Sequence, residues 1–178
     1  MWDGFELAVH AVLGQQLTLG DSTALAGRLV RTFGKPFQTS VRGLTHLFPK
    51  PQDLMDANLS KVGIHGARSA TLHALARAVC SKELTFAASM TLEEAISRIC
   101  GIRGIEENTA HYIAMRALGE PDAFPFADPG LRNELAKGGN PISTPEALRI
   151  AESWRPWRAY AAMHFCAEVA GSIKLTFE

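Results

Sequence analysis

The 178-residue chain has few cysteines, no excess of charge of either sign and no long apolar run, and each shortage narrows what it can be. Cys80, Cys100 and Cys166 are the only cysteines; they are widely separated and show no CxxC spacing. That pattern argues against a disulfide framework, a zinc knuckle or a four-cysteine iron–sulfur cluster, and favours a reducing compartment. Eighteen basic residues cancel eighteen acidic ones, so no global field draws the chain to nucleic acid or anionic lipid, and binding of either would need a local feature. The N-terminus, "MWDGFELAVH", carries Asp3 and Glu6 rather than a basic segment leading into an apolar one. Neither a leader nor a membrane span is expected, and a cytoplasmic protein is. Strand-like alternation is also missing, apart from "IKLTF" at the very end, as are internal repeats and low-complexity tracts.

Helical patterning fills the space. At 178 residues, 47% of them hydrophobic, the chain suffices for one domain or two small lobes, and folding at this length buries roughly 70% of the unfolded surface. Phe5, Ala8, Val9, Val12 and Leu13 recur at helical spacing, as do Leu25, Leu29, Val30 and Phe33, with Gly34 placed to end the second helix. A Gly- and Pro-rich stretch then predicts a loop, with a short helix starting near Pro51 and an amphipathic one from about Gly66. Thr91 and Glu94 form a capping-box signature for the helix that follows. Ala110, Ile113, Ala114 and Ala117 predict another apolar face, stopped at Gly119, while Pro145 and Pro156 sit where first helical residues belong. The expected fold class is all-α.

Between two of these helices stands "GIRGIEENTA", residues Gly101 to Ala110, whose two glycines permit a tight turn. Two readings are open for it. A hairpin followed by a helix presents backbone N–H groups and the positive end of a helix dipole, which together can hold a phosphate without lysine or arginine. It can equally be an ordinary αα-hairpin. The stretch "GEPDAFPFADPGLRNEL" raises a similar pair. Asp128 before Pro129 is a routine helix N-cap, or else a carboxylate held at the edge of a cleft.

The order "ICGIRGIEENTAHYIAMRALG", "DAFPFADPGLR", "WRPWRAYAAMHF", joined by "AVLGQQLT" and "KVGIHGARSATLHALA", resembles the helix-hairpin-helix DNA glycosylases over nearly the whole chain. Within them it is most similar to the 3-methyladenine DNA glycosylase II group. The resemblance implies helical lobes, roughly 20–100 and 101–178 with the N-terminal helix, of the size small lobes take. It also implies damaged double-stranded DNA as partner, a flipped base and hydrolysis of its N-glycosidic bond. Asp128 matches the catalytic aspartate, and the hairpin of Gly101, Gly104, Glu106, Asn108 and Thr109 matches the phosphate grip. Gln16 matches the residue that wedges into the vacated stack, although a solvated amide at a helix end is the alternative. Asn108 stands where bifunctional relatives carry a Schiff-base lysine, and an amide cannot be that nucleophile, so a monofunctional enzyme is implied. No cofactor and no structural metal are expected, since His111 and His164 lack ligand spacing. A monovalent cation between the hairpin's carbonyls and a phosphate is known in relatives and is carried over as an expectation.

Three departures accompany the resemblance. The usual hairpin has a second glycine where this chain has Glu106, followed by Glu107, and carboxylates there favour the helix dipole but repel phosphate. Aromatic positions of the base pocket match Asn108 and Cys166, which leaves Tyr112, Trp154, Trp157, Tyr160 and Phe165 as pocket candidates; Trp154 and Trp157 also suit core anchors. Relatives carry an α+β lobe ahead of the helix that begins here near Trp2, so a truncated protein, a fragment or a compact variant is expected. The competing functional readings are a helix-hairpin-helix DNA-binding module without catalysis and a helical interaction domain indifferent to DNA.

Overall fold

The computed structural model describes residues 3–86, 90–136 and 138–172, with side chains in the last helix as far as Phe165. Helix α1, Gly4–Gly14, opens on Asp3, whose Oδ1 accepts from the amides of Phe5 at 2.7 Å and Glu6 at 3.1 Å. Its buried face is the stripe read from the sequence: Phe5, Ala8, Val9, Val12 and Leu13. Helix α2, Leu19–Phe33, is capped by Thr18 and ends at Gly34, as its periodicity requires. Gly34 is not left-handed, with φ at −76°. A Cβ there would lie 2.3 Å from the Leu47 carbonyl oxygen and 2.5 Å from that of Val30, so close approach is what requires glycine.

That approach belongs to a ladder the sequence pattern does not reveal. Strand β1, Lys35–Pro36, pairs antiparallel with β2, His46–Leu47, and two residues are too few to show alternation. Helix α3, Pro51–Leu54, starts on its predicted proline. A 3₁₀ turn at Leu59–Val62 leads to α4, Gly66–Cys80. Helix α5, Leu92–Cys100, has its capping box in place: the Thr91 amide donates to Glu94 Oε2 at 3.0 Å, and the Glu94 amide to Thr91 Oγ1 at 3.3 Å. Helix α6, Glu107–Ile113, widens into a π-helical turn, Ala114–Leu118, that Gly119 stops with φ at +73°. Helix α7 is Pro129–Leu135, and α8, Thr144–Ala151, is capped by Ser143.

Two prolines sit differently from their predicted places. Pro145 is the second helical residue of α8, because Ser143 rather than Thr144 takes the cap. Pro156 follows a cis peptide bond and lies outside helix α9, Arg158–Ser172. The predicted strand "IKLTF" lies outside the described residues.

Helix α1 is the hub, packing against α2, α4, α6 and the π-helical turn, while α7 packs on α8 and α9. The loop after Gly119 is clamped to α9 by Asp122. Its two carboxylate oxygens receive Arg158 Nε at 2.7 Å and a terminal guanidinium nitrogen of Arg158 at 2.9 Å, and Arg155 joins them at 2.5 Å. Arg158 is buried, so this pair holds the chain ahead of Asp128 in place rather than serving the surface. Among the described residues the fold is thus all-α but for one minimal ladder. No helix among the described residues is long and apolar enough to cross a membrane.

Candidate functional site

A cavity of about 870 Å³ opens where the end of α1 and the start of α2 face the hairpin, the start of α6 and the loop into α7. Four carboxylates line it, those of Asp3, Glu6, Glu106 and Asp128, and no lysine or arginine does among the described residues. The field inside therefore favours positive charge. Gln16 on the α1–α2 side and Asn108, Thr109 and Tyr112 on the α6 side also line it, so the structure brings together residues spread over more than half of the sequence.

Asp128 is the N-cap of α7 and is half-buried, with Oδ1 accepting from the Leu131 amide at 2.8 Å. The cap and the cleft-edge carboxylate are thus one residue: capping fixes the side chain, and the cavity receives it. At the hairpin, only Gly104 needs a glycine's backbone, with φ at +93°. Gly101 is an ordinary right-handed helix cap, at φ −61°, so the reading that both glycines make the turn is corrected to one. Ile102 and Ile105 anchor the turn by burial on either side of Gly104. Glu106 caps α6 without a side-chain hydrogen bond to it, which leaves the first-turn amides to other partners.

The link between hairpin and α1 was not legible in the sequence. Gln15 Nε2 donates to Thr109 Oγ1 at 3.0 Å, and the Gln15 carbonyl accepts from Arg68 at 2.8 Å. Both hold the backbone just before Gln16, which is exposed and left-handed at φ 58°. Leu19, three residues on, is 75% exposed on the same lip of the cavity. Its only sequence signal is an apolar residue in the first turn after a helix cap.

The pocket candidates divide. Tyr112 lines the cavity. Trp154 does not; it packs edge-on to Phe124 and tilted against Phe165, a core anchor between α9 and the loop ahead of α7 that takes Phe165 with it. Trp157 and Tyr160 meet edge-on at the surface, 58% and 60% exposed, and are also outside the cavity. Trp154, Trp157, Tyr160 and Phe165 are thus four pocket candidates that lie outside the cavity Asp128 lines. The side chain of Cys166 lies outside the described residues. No group of three or more potential metal ligands occurs among the described residues.

His111, on α6 beneath the cavity, accepts the Phe124 amide at Nδ1 over 3.2 Å and meets Phe126 edge-on. Burial lowers its pKa, against the opposing pull of Glu107. Protonation would also turn the accepting nitrogen into a donor facing another donor. Below the ordinary imidazole value of 6.5, the unfolded chain takes up a proton that the fold resists. Stability therefore falls as pH drops through that value and levels off beneath the lowered one. Urea midpoints at about pH 7.5 and about pH 5.5 should fall further for wild type than for His111→Gln; equal falls would contradict it.

No protein-family model matches the chain. It is 37% identical over 162 residues to the probable bifunctional transcriptional activator/DNA repair enzyme AlkA of Mycobacterium tuberculosis, a match covering 91% of this chain and 33% of that protein. Over 166 residues it is 31% identical to DNA-3-methyladenine glycosylase 2 of Escherichia coli, covering 91% of this chain and 56% of that protein. The chain thus spans from a third to just over half the length of these relatives. Among solved structures, the 3-methyladenine DNA glycosylase of Archaeoglobus fulgidus superposes with a TM-score of 0.81 at 23% identity, over 98% of this chain and 60% of that one. The Schizosaccharomyces pombe 3-methyladenine DNA glycosylase Mag1, in complex with abasic DNA, gives 0.77 at 22% identity, over 92% and 79%. With fold, hairpin and sequence in agreement along its length, the chain belongs to the helix-hairpin-helix DNA glycosylase superfamily, in the group of the 3-methyladenine DNA glycosylase II enzymes.

Proposed function

We propose that this chain is the body of a monofunctional DNA glycosylase that flips an alkylated base out of duplex DNA and hydrolyses its N-glycosidic bond. The observation that carries the reading is the cavity lined by four carboxylates, Asp128 and Glu106 of the hairpin among them, and by no lysine or arginine among the described residues. A cationic purine such as 3-methyladenine enters such a field favourably and is also a good leaving group. As the C1′–N bond breaks, its electron pair leaves with the base and positive charge grows on the sugar, where the Asp128 carboxylate stabilises it. Water adds its oxygen to C1′ and gives up a proton to the same carboxylate, leaving an abasic site. Damage is selected partly because a weakly stacked base costs least to extrude.

Gln16 acts as the wedge, held by the Arg68–Gln15–Thr109 hydrogen bonds. The turn around Gly104 offers backbone N–H groups to a phosphate. Its main-chain carbonyls are also the hard oxygen donors that suit a monovalent cation, which would add positive charge beside that phosphate. The two lobes, roughly 20–100 and 101–178 with the N-terminal helix, meet at the cavity in this reading.

Glu106 works against the grip, since its carboxylate lines the cavity beside the helix start without capping it. Glu106→Gly should tighten binding to an abasic-site duplex about two- to fivefold at low salt, an advantage that fades as salt rises. Fluorescence anisotropy measures it, and unchanged affinity would show that the carboxylate stands clear of DNA. The function itself is tested by mass spectrometry of free purine released from methylated duplex DNA. Release of 3-methyladenine is expected; none from a folded, DNA-bound chain would leave a binding module without catalysis.

A further inference from the structure

We propose that Asn108 is a positioning residue that sets Asp128 from the hairpin helix, an inference that rests on the glycosylase reading above. Asn108 lies in the first turn of α6, and its Oδ1 accepts from the amide of Ala127 at 2.7 Å. Ala127 immediately precedes Asp128. A backbone N–H can only donate, so this bond fixes which end of the carboxamide faces the loop. One turn further along the same helix face, His111 Nδ1 accepts the Phe124 amide at 3.2 Å. Helix α6 therefore holds residues 124–128 at two amides, three residues apart on both sides.

The loop needs such a hold, because it belongs to no helix. Within it, the Phe126 amide donates to the Phe124 carbonyl at 2.9 Å and the Asp128 amide to that of Pro125 at 3.1 Å. Beyond it, the Leu131 amide fixes Asp128 Oδ1. These bonds shape the loop, and Asn108 sets where the shaped loop stands. A phosphate at the start of α6 and a carboxylate tied to the same turn share one rigid reference, so gripping DNA also registers C1′ against Asp128. Misplacement of a reacting group by about 1 Å costs roughly a hundredfold in rate.

Asn108→Leu keeps the branched shape and removes the acceptor, whereas Asn108→Asp keeps the acceptor. Single-turnover base release by Asn108→Leu should fall about ten- to a hundredfold, with affinity for an abasic-site duplex and melting temperature held near wild type. Asn108→Asp should release base within about threefold of wild type, because its carboxylate still accepts the Ala127 amide. A wild-type rate in Asn108→Leu, or parallel losses of rate, affinity and melting temperature, would overturn the role. Should Asn108→Leu not fold, a loss of release by Asn108→Asp at unchanged duplex affinity would overturn it as well. Absence of release by wild type sinks the glycosylase reading instead, so the two failures are distinct.

Discussion

Asp128→Asn is expected to slow base release roughly 10²- to 10⁴-fold while leaving duplex affinity close to wild type. The substitution removes the charge and little else. Asp128 Oδ1 accepts the Leu131 amide at the start of α7, and asparagine caps helices as well as aspartate does, so the helix start survives. What is lost is the carboxylate that, in the proposed mechanism, opposes charge on the sugar and takes the proton from water. Three other carboxylates, Asp3, Glu6 and Glu106, line the same cavity. The proposed grip on DNA uses backbone amides around Gly104 rather than Asp128, so the variant retains duplex binding. A single-turnover assay beside an abasic-duplex titration separates the two effects. Equal release by wild type and variant would move catalysis to another residue.

Gly104→Ala is expected to destabilise the fold by about 2–5 kcal/mol, combining the cost of a left-handed non-glycine residue with that of overpacking. At φ +93° the backbone already disfavours a side chain, and a Cβ would stand 2.0 Å from Thr71 Oγ1. Thr71 has little room to yield: it is buried on α4, and its hydroxyl donates to the Ala67 carbonyl at 3.0 Å. The hairpin between α5 and α6 would lift from α4, and duplex binding should weaken with stability. Thr71→Ala in the same chain should restore the part of the loss due to the clash and leave the part due to φ. Chemical denaturation of the two variants measures each part. A Gly104→Ala midpoint equal to wild type would contradict this packing. Gly101, with its right-handed φ of −61°, should tolerate alanine better.

Local chemistry made much of the fold legible. The stripe on α1, the Thr91–Glu94 box, the start at Pro51 and the stop at Gly119 each depend on residues within a turn or two, and each stands where the sequence places it. The ladder of β1 and β2 was illegible because two residues carry no period. Pro156 misled because the rule for prolines at helix starts cannot anticipate a helix that begins two residues later. The site divides along the same line. Asp128 announced itself as a cap, and motif order drew attention to the hairpin. The bond from Gln15 to Thr109 joins residues 94 apart, and that from Asn108 to Ala127 joins residues 19 apart. Helical periodicity records which face is apolar, not which polar group will meet which amide across the cavity. The same limit explains the aromatics: spacing showed that α9 and the turn before it are rich in rings, but only packing shows that Trp154 turns inward and Trp157 outward.

The central claim is that this chain excises a base and leaves the strand whole. It is tested most directly with a duplex carrying one alkylated purine at a known position, incubated with the chain and run on a denaturing gel before and after alkali. An intact strand before alkali and a single break at that position after it is the predicted result. A break before alkali would contradict the monofunctional assignment, and no alkali-labile site from a folded, duplex-bound chain would contradict catalysis altogether.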